Sequence, residues 1–595
     1  MNNVDFIIKL LVKRGHDTAF GVTGGGAMFL NEAFRKAKKL NFIFTHHEQS
    51  AAMAAEAYYR IKKKASILSI TSGPGGTNAV TGVIGAWIDS IPMIVISGQV
   101  ESKDLIGKSK TRQIGIQEAN IIDVAKPIVK YSKTLTKSSD IELELNKAID
   151  IAYSGRPGPV WLDIPLDVQS QKFNSSKKSV KYLSDNNKKN INKNIKIEEI
   201  YKLIEKSKRP IFLIGNGVHI SKSETLFLKI IQKLKLPILS TWNASDIIPS
   251  SKNFYFGRPG LFGNRIANFA IQSCDLLIIL GSRLSVPITG YQIKNFSPNS
   301  KKIYVDIDKF EIKKRGLKTD VSIHADLNFF LEKLKTYLKK KNKIEKVTWI
   351  KELTKLKNSL DEDKNYKNHN KYINSFNFIN HLSRKLDGKK NIVTDMGTSF
   401  TCTMQSFKTK KNQRLFTSSG IAAMGFGLPG LIGAYFADKN KTPICITGDG
   451  GIMFNLQELQ TIKNYKIPAK IFIINNGGYL TMKLMQKKNF KKFVGSDEKS
   501  GVKLPNFSKL SKSFDYEFFT IDSEKRIDNI LSNILKSNKA VICEVMMPPM
   551  QELIPRVQTQ MNKDGTFEPA MLDNMYPFIS KDRIKVIRQR LLSID

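Results

Sequence analysis

Asp449 and Asn476 lie 27 residues apart, and each closely follows an apolar run. The first run, 443–447 (PICIT), opens into Gly448-Asp449-Gly450-Gly451, and the second, 470–474 (KIFII), opens into Asn475-Asn476-Gly477-Gly478. Between them Ile452, Leu456, Leu459 and Ile462 recur at helical spacing. The unit reads as strand–turn–helix–strand, and a right-handed crossover sets the two strands parallel. Asp449 and Asn476 then fall at the carboxyl ends of neighbouring strands, where open α/β sheets bind ligands. One carboxylate, one amide oxygen and a backbone carbonyl, taken at Gly478, make a hard oxygen set suited to Mg²⁺, which usually completes its shell with phosphate and water. Glycines at 448, 450 and 451 let a diphosphate approach the backbone, and the N-terminus of the helix beyond favours its charge. The pattern reads as a metal–diphosphate clamp.

Further strand ends are marked in the first hundred residues. FGVTGGGAMFL (20–30) sets three consecutive glycines, among them Gly25 and Gly26, after an apolar run. TSGPGGTN (71–78) repeats the device after the strand-like 67–71, with Gly73, Pro74 and Asn78 in the turn. Between these two, Glu48 follows the β-like 41–45 and opens an alanine-rich helix in FTHHEQSAAMAAEAYYR. Turns of this kind at successive strand ends point to a parallel sheet with a working carboxyl edge.

Taken together, these segments resemble the thiamine-diphosphate enzymes, and within them the acetolactate synthase and pyruvate oxidase branch. The resemblance is carried by FGVTGGGAM, HHEQSAAMAAEAYYR, TSGPGGTNAVTGV, DSIPMIVISGQV, RPGPVWLDIPLDV, GFGLPGLIGA and ITGDGG, spread from residue 20 to about 480. It implies an α/β fold of three doubly wound parallel-sheet domains: aminopyrimidine-binding, central and diphosphate-binding. It implies that Glu48 shares a proton with the aminopyrimidine ring, so that the cofactor's own amine can remove the thiazolium C2 proton. Gly25, Gly26, Gly73, Pro74 and Asn78 would line the same half of the cofactor, with Gln117 of RQIGIQEAN near the reacting carbon. Gly397, Thr398 and Ser399 of TDMGTSF, beside Asp395, would contact the diphosphate with Gly448, Gly450 and Gly451. Met424 of SGIAAMGFG would be the apolar wedge that bends the cofactor, and the backbone of Ala422 and Met424 would hold its pyrimidine.

Departures from the family pattern matter as much. Ile116 stands where acetolactate synthases usually carry phenylalanine, and Thr398-Ser399 where they carry Gln-His. Met485 takes the place of the tryptophan that reads the second substrate, and is expected in the acceptor pocket. The segments NGV (216–218), DLLIILGSRLSVPITGY (275–291) and YVDID (304–308) resemble the family's flavin-holding domain, making FAD a possible further cofactor. The expected reaction is decarboxylation of a 2-oxo acid, pyruvate, and transfer of the acyl carbanion to a second carbonyl. The alternative is a related carboligase or decarboxylase with another acceptor, such as a keto-sugar nucleotide in surface polysaccharide synthesis. Expected partners are a second copy of the chain, in a homodimer or homotetramer with Glu48 of one chain facing Asp449 of the other, and a small regulatory subunit.

The chain's 595 residues suit three domains. Lys-, Asn- and Ser-rich 174–199 reads as a linker, giving an N-terminal unit over 1–173, a central unit over 195–337, a C-terminal unit over 375–550, and a tail, 551–595, read as a possible lid. A net charge of +42 is spread through linkers and helix faces, so nucleic acid is not expected as a partner. Four distant cysteines with no metal-ligand spacing fit a reduced, cytoplasmic protein. The uncharged stretch 420–437 holds five glycines and Pro429, so no membrane span is expected there.

Overall fold

A computed structural model describes residues 1–174, 195–314, 316–360, 371–561 and 567–594. The segment read as the first linker therefore lies mostly outside the described residues, as do 361–370. Three parallel sheets carry the chain, in agreement with the expected fold class. The first has the spatial order Asn41–Phe44, Thr18–Gly21, Ile67–Ile70, Ile94–Gln99, Val160–Pro165, Tyr131–Thr134. The last has Arg414–Phe416, Lys390–Thr394, Thr442–Gly448, Lys470–Asn475, Val541–Met546, Glu517–Ile521. Counting strands from the start of each domain, both sheets run 2-1-3-4-6-5. The central sheet, Ile238–Ser240, Pro210–Ile214, Leu276–Leu280, Lys301–Asp306, Val321–His324, shares the 2-1-3-4 part. In each sheet the strand order reverses between strands 1 and 3, which opens a crevice at the carboxyl edge.

The alanine-rich helix has a packing reason. Glu48–Lys62 is sandwiched between Pro74–Ile88 and Gly427–Ala437 of the third domain. Only small residues allow that approach: a Cβ on Gly433 would lie 2.0 Å from the Ala54 carbonyl oxygen, and one on Gly82 would lie 2.4 Å from the Ala52 Cβ. The 18-residue uncharged stretch contributes this third-domain helix of 11 residues. Among the described residues no helix is long and apolar enough to cross a membrane.

Three sequence expectations are corrected. The central unit does not end near 337: the helix Val347–Leu360 buries Trp349, Leu353 and Leu356 in its core. Leu572, Met575, Ile584, Ile587 and Leu591 join the same core. The terminal helix Lys581–Leu592 is thus a structural layer of the central unit, not a free cover. The helix expected after Gly451 is split into a 3₁₀ turn, Ile452–Asn455, and the short helix Glu458–Asn464. The break frees the Asn455 side chain, which donates to the Gly425 carbonyl at 2.8 Å and accepts from the Ser50 hydroxyl at 2.9 Å. All four cysteines are buried and unpaired.

Candidate cofactor and metal site

Asp449 and Asn476 are brought together at the carboxyl ends of strands 3 and 4 of the third sheet, one strand beyond its reversal. Asp449 is 1% exposed, and its carboxylate accepts backbone N–H groups from Gly450 at 2.8 Å, Asn476 at 2.9 Å and Gly478 at 3.0 Å. Burial pushes its carboxyl up to about 6, and the three N–H groups oppose that shift. Asn476 is also buried, and its Oδ1 has no hydrogen-bond partner. A buried amide oxygen left unsatisfied is costly unless something ligates it. An acceptor-only carboxylate beside such an oxygen suits a hard divalent cation.

Several glycines at these strand ends border open space. A Cβ built on Gly25, Gly397 or Gly477 would meet nothing within 4 Å, and one on Gly448 would meet only the Gly451 nitrogen at 3.9 Å. The neighbouring glycines have other duties. Gly26 packs on Ser72, whose Oγ would lie 2.6 Å from an added Cβ. Gly450 makes room for the Tyr479 ring at 2.3 Å, and Gly478 for the Ser496 carbonyl at 2.2 Å. Gly451 packs beside the Asp395 carboxylate, 3.1 Å from the same test atom.

Gly397 (φ +82°) precedes the helix Thr398–Ser406, whose first N–H groups face the crevice end of the sheet. The Ser399 hydroxyl is spent on the Asp395 and Met396 carbonyls, so only its backbone remains for a phosphate. Asp395 has a role that spacing did not reveal. Its carboxylate binds the N–H of Met396 and Gly425 and the Thr447 hydroxyl, which ties the Ala422–Met424 turn to the strand that ends at Gly448. Ala422 is held at φ +58°, an unfavourable angle for a residue with a Cβ, and Met424 is half-buried.

The first domain carries the remaining residues expected at the site. Glu48 starts its helix, 9% exposed, and accepts from the Asn78 amide at 3.0 Å. Asn78 lies in the helix opened by Pro74. Gly73 (φ +59°) is forced by its neighbour: a Cβ there would fall 2.3 Å from the Gln117 carbonyl oxygen. Gln117 is itself at φ +61° and exposed, on a loop pinned by Glu118. The Glu118 carboxylate accepts the N–H of Ile106, of Ile114 at 3.1 Å and of Gly115 at 3.3 Å. Met485 projects from the helix Leu480–Phe490 and is 57% exposed within the single chain, as is Ile116 at 89%.

A separate cavity of about 480 Å³ opens at the reversal of the central sheet, lined by Gly217, Gly281, Arg283, Asp306, Asp326 and Trp242 among others. Burial pushes the Asp306 carboxyl up to about 6. Gly217 and Gly281 pack on one another, with a Gly217 Cβ falling 2.6 Å from the Gly281 Cα.

Comparison with known proteins matches the three sheets one by one. Residues 1–121 match the family described as thiamine pyrophosphate enzyme, N-terminal TPP binding domain; 197–334 match its central domain; and 395–545 match its C-terminal TPP binding domain. A probable acetolactate synthase large subunit from Methanocaldococcus jannaschii is 32% identical over 599 residues, covering 99% of each chain. The acetolactate synthase large subunit of Lactococcus lactis is 30% identical over 561 residues, 94% of each. The isozyme 2 large subunit of Escherichia coli is 29% identical over 563, covering 94% of this chain and 97% of its own.

Proposed function

The chain belongs to the thiamine pyrophosphate enzymes of the acetolactate synthase kind, and from that membership we propose that it decarboxylates pyruvate and joins the two-carbon unit to a second 2-oxo acid. The observation that carries the reading is the buried Asp449 carboxylate beside the unsatisfied Asn476 Oδ1, next to glycines with open space where Cβ atoms would be. Asp449, Asn476 and the Gly478 carbonyl would hold Mg²⁺ and, through it, the cofactor diphosphate. Thiamine diphosphate, when bound, supplies the carbanion-stabilising ring that the side chains lack. Glu48, held by Asn78, would share a proton with the aminopyrimidine. Ala422 and Met424 would fix the pyrimidine against the wedge turn that Asp395 anchors. Gln117, presented by the Glu118-pinned loop, would orient the keto acid, and Met485 would face the acceptor. The names of the relatives give no support to a keto-sugar acceptor.

The central cavity is read as an FAD site: Asp306 and Asp326 suit ribose and adenine donors, and Arg283 suits a phosphate. A second copy of the chain would bring its Glu48 to this chain's Asp449, and a separate small subunit is proposed because the relatives are named large subunits. Four buried free thiols support a reducing, cytoplasmic setting. The test is direct: purified protein with pyruvate, thiamine diphosphate, Mg²⁺ and FAD, with products identified by mass. Acetolactate and CO₂ are expected; pyruvate consumed without acetolactate would overturn the assigned acceptor, and no consumption would overturn the enzyme reading.

A further inference from the structure

Directly beyond the Asn475-Asn476 turn, the helix Leu480–Phe490 carries a lysine inward. Lys483 is 2% exposed, and its Nζ donates to the Asn476 backbone carbonyl at 2.9 Å. The charges that act on it are the carboxylates of Asp449 and Asp497. An ammonium has three N–H donors and no acceptor capacity, and moving it out of water costs several kcal/mol unless charge and hydrogen bonds compensate. Packing alone does not call for it: Leu480 and Leu484, on either side along the helix, are apolar and belong to or pack against the third-domain core. The cation therefore sits in the field of the buried Asp449 carboxylate, and it grips the turn that presents the Asn476 amide oxygen.

We propose that Lys483 is a fixed second cation of the diphosphate clamp, which holds the Asn476 turn and supplies part of the positive charge that the cofactor diphosphate needs, while weakening divalent-metal binding to the site before cofactor arrives. The proposal rests on the metal reading of Asp449 and Asn476. It makes the two ligands respond in opposite directions, since a positive charge in a partly dry site repels Mg²⁺ and attracts the diphosphate. Loss of a purely structural lysine would weaken both.

The experiment is calorimetric titration of the full-length protein with Mg²⁺ alone, and with thiamine diphosphate at saturating Mg²⁺. Lys483→Met should bind Mg²⁺ alone about tenfold more tightly and thiamine diphosphate about tenfold more weakly, a screened Coulomb effect on each. Lys483→Arg should stay near the parent in both titrations. Lys483→Gln keeps a hydrogen-bond donor without the charge, so it should follow Lys483→Met, and it takes over the test if the methionine variant does not fold. Weakening of both ligands, or no change in either, overturns the proposal. Asp449→Asn separates the two readings: if it leaves Mg²⁺ binding untouched, the metal assignment has failed, whatever Lys483 does.

Discussion

The first and third domains thread the same strand order, 2-1-3-4-6-5, yet their carboxyl edges carry opposite chemistry. After strand 3 the first domain turns through Gly73-Pro74, where a tight backbone contact with Gln117 fills the space; the third turns through Asp449, which gathers three N–H groups. After strand 1, both leave a glycine with open space beside it, Gly25 and Gly397. On strand 6, Asp163 and Glu544 occupy the same position; Asp163 bonds Ser97 and Gln99 within the sheet, whereas Glu544 accepts from Asn475 beside the clamp. One strand order can therefore carry two different sets of polar groups at its carboxyl edge, set mainly by the turn residues, which is where function concentrates in open α/β sheets.

Removing the charge half should have the largest effect. Asp449→Ala would leave the proposed Mg²⁺ without a charged protein ligand, so thiamine diphosphate affinity in Mg²⁺ should fall at least about a hundredfold, and calorimetry showing parental affinity would break the contrast between the two edges. The proton half should separate from it cleanly. Glu48→Gln should keep the cofactor bound but slow turnover by about a hundredfold, the low end for a positioned proton-transfer group; parental C2–H exchange by NMR would demote Glu48 to a helix-start residue.

A pH measurement sharpens the strand-6 comparison. Burial pushes the Asp163 carboxyl up to about 7, above its unfolded value of 3.8, with the Ser97 and Gln99 hydrogen bonds opposing. The native state then holds the extra proton, so this contribution is present at low pH and is lost as pH rises from about 4 to about 7. Asp163→Asn should flatten that slope by roughly 1–3 kcal/mol across the window, as read from urea unfolding at pH 4.5 and 7.5; an unchanged slope would show that Asp163 is ionised in the fold.

The smallest effect distinguishes adjacent glycines. Gly25→Ala meets open space, so stability should stay within about 0.5 kcal/mol while cofactor affinity drops. Gly26→Ala drives a Cβ to 2.6 Å from the Ser72 Oγ and should cost about 1–3 kcal/mol as an overpacked site. Thermal unfolding of the pair decides it, and equal midpoints would mean that the crevice beside Gly25 is not empty.

The three sheets and the meeting of Asp449 with Asn476 were legible because strand ends, glycine turns and the Asp449–Asn476 interval are local patterns. The limits of the central unit were not, since Trp349 and Leu591 reach its core from segments that look like linker and tail. Periodicity suggested one helix after Gly451, but the tertiary bonds of Asn455 to Gly425 and Ser50 broke it in two. Among the triple glycines, only three-dimensional neighbours separate Gly25, beside open space, from Gly26, against Ser72. Lys483 was invisible as a buried cation in a chain with 95 lysines and arginines.

The contact of Gly433 with the backbone of Ala54 also sets a schedule. The two residues are 379 positions apart in the chain. At a synthesis rate of roughly 5–20 residues per second, the outer face of the Glu48 helix waits on the order of 20–75 seconds for its cover. During that interval the nascent first domain exposes an alanine-lined strip, smooth enough for another helix to dock, and a second nascent chain carries the same strip. The helix Gly427–Ala437 that covers this strip is therefore among the later elements of the chain to become available for packing.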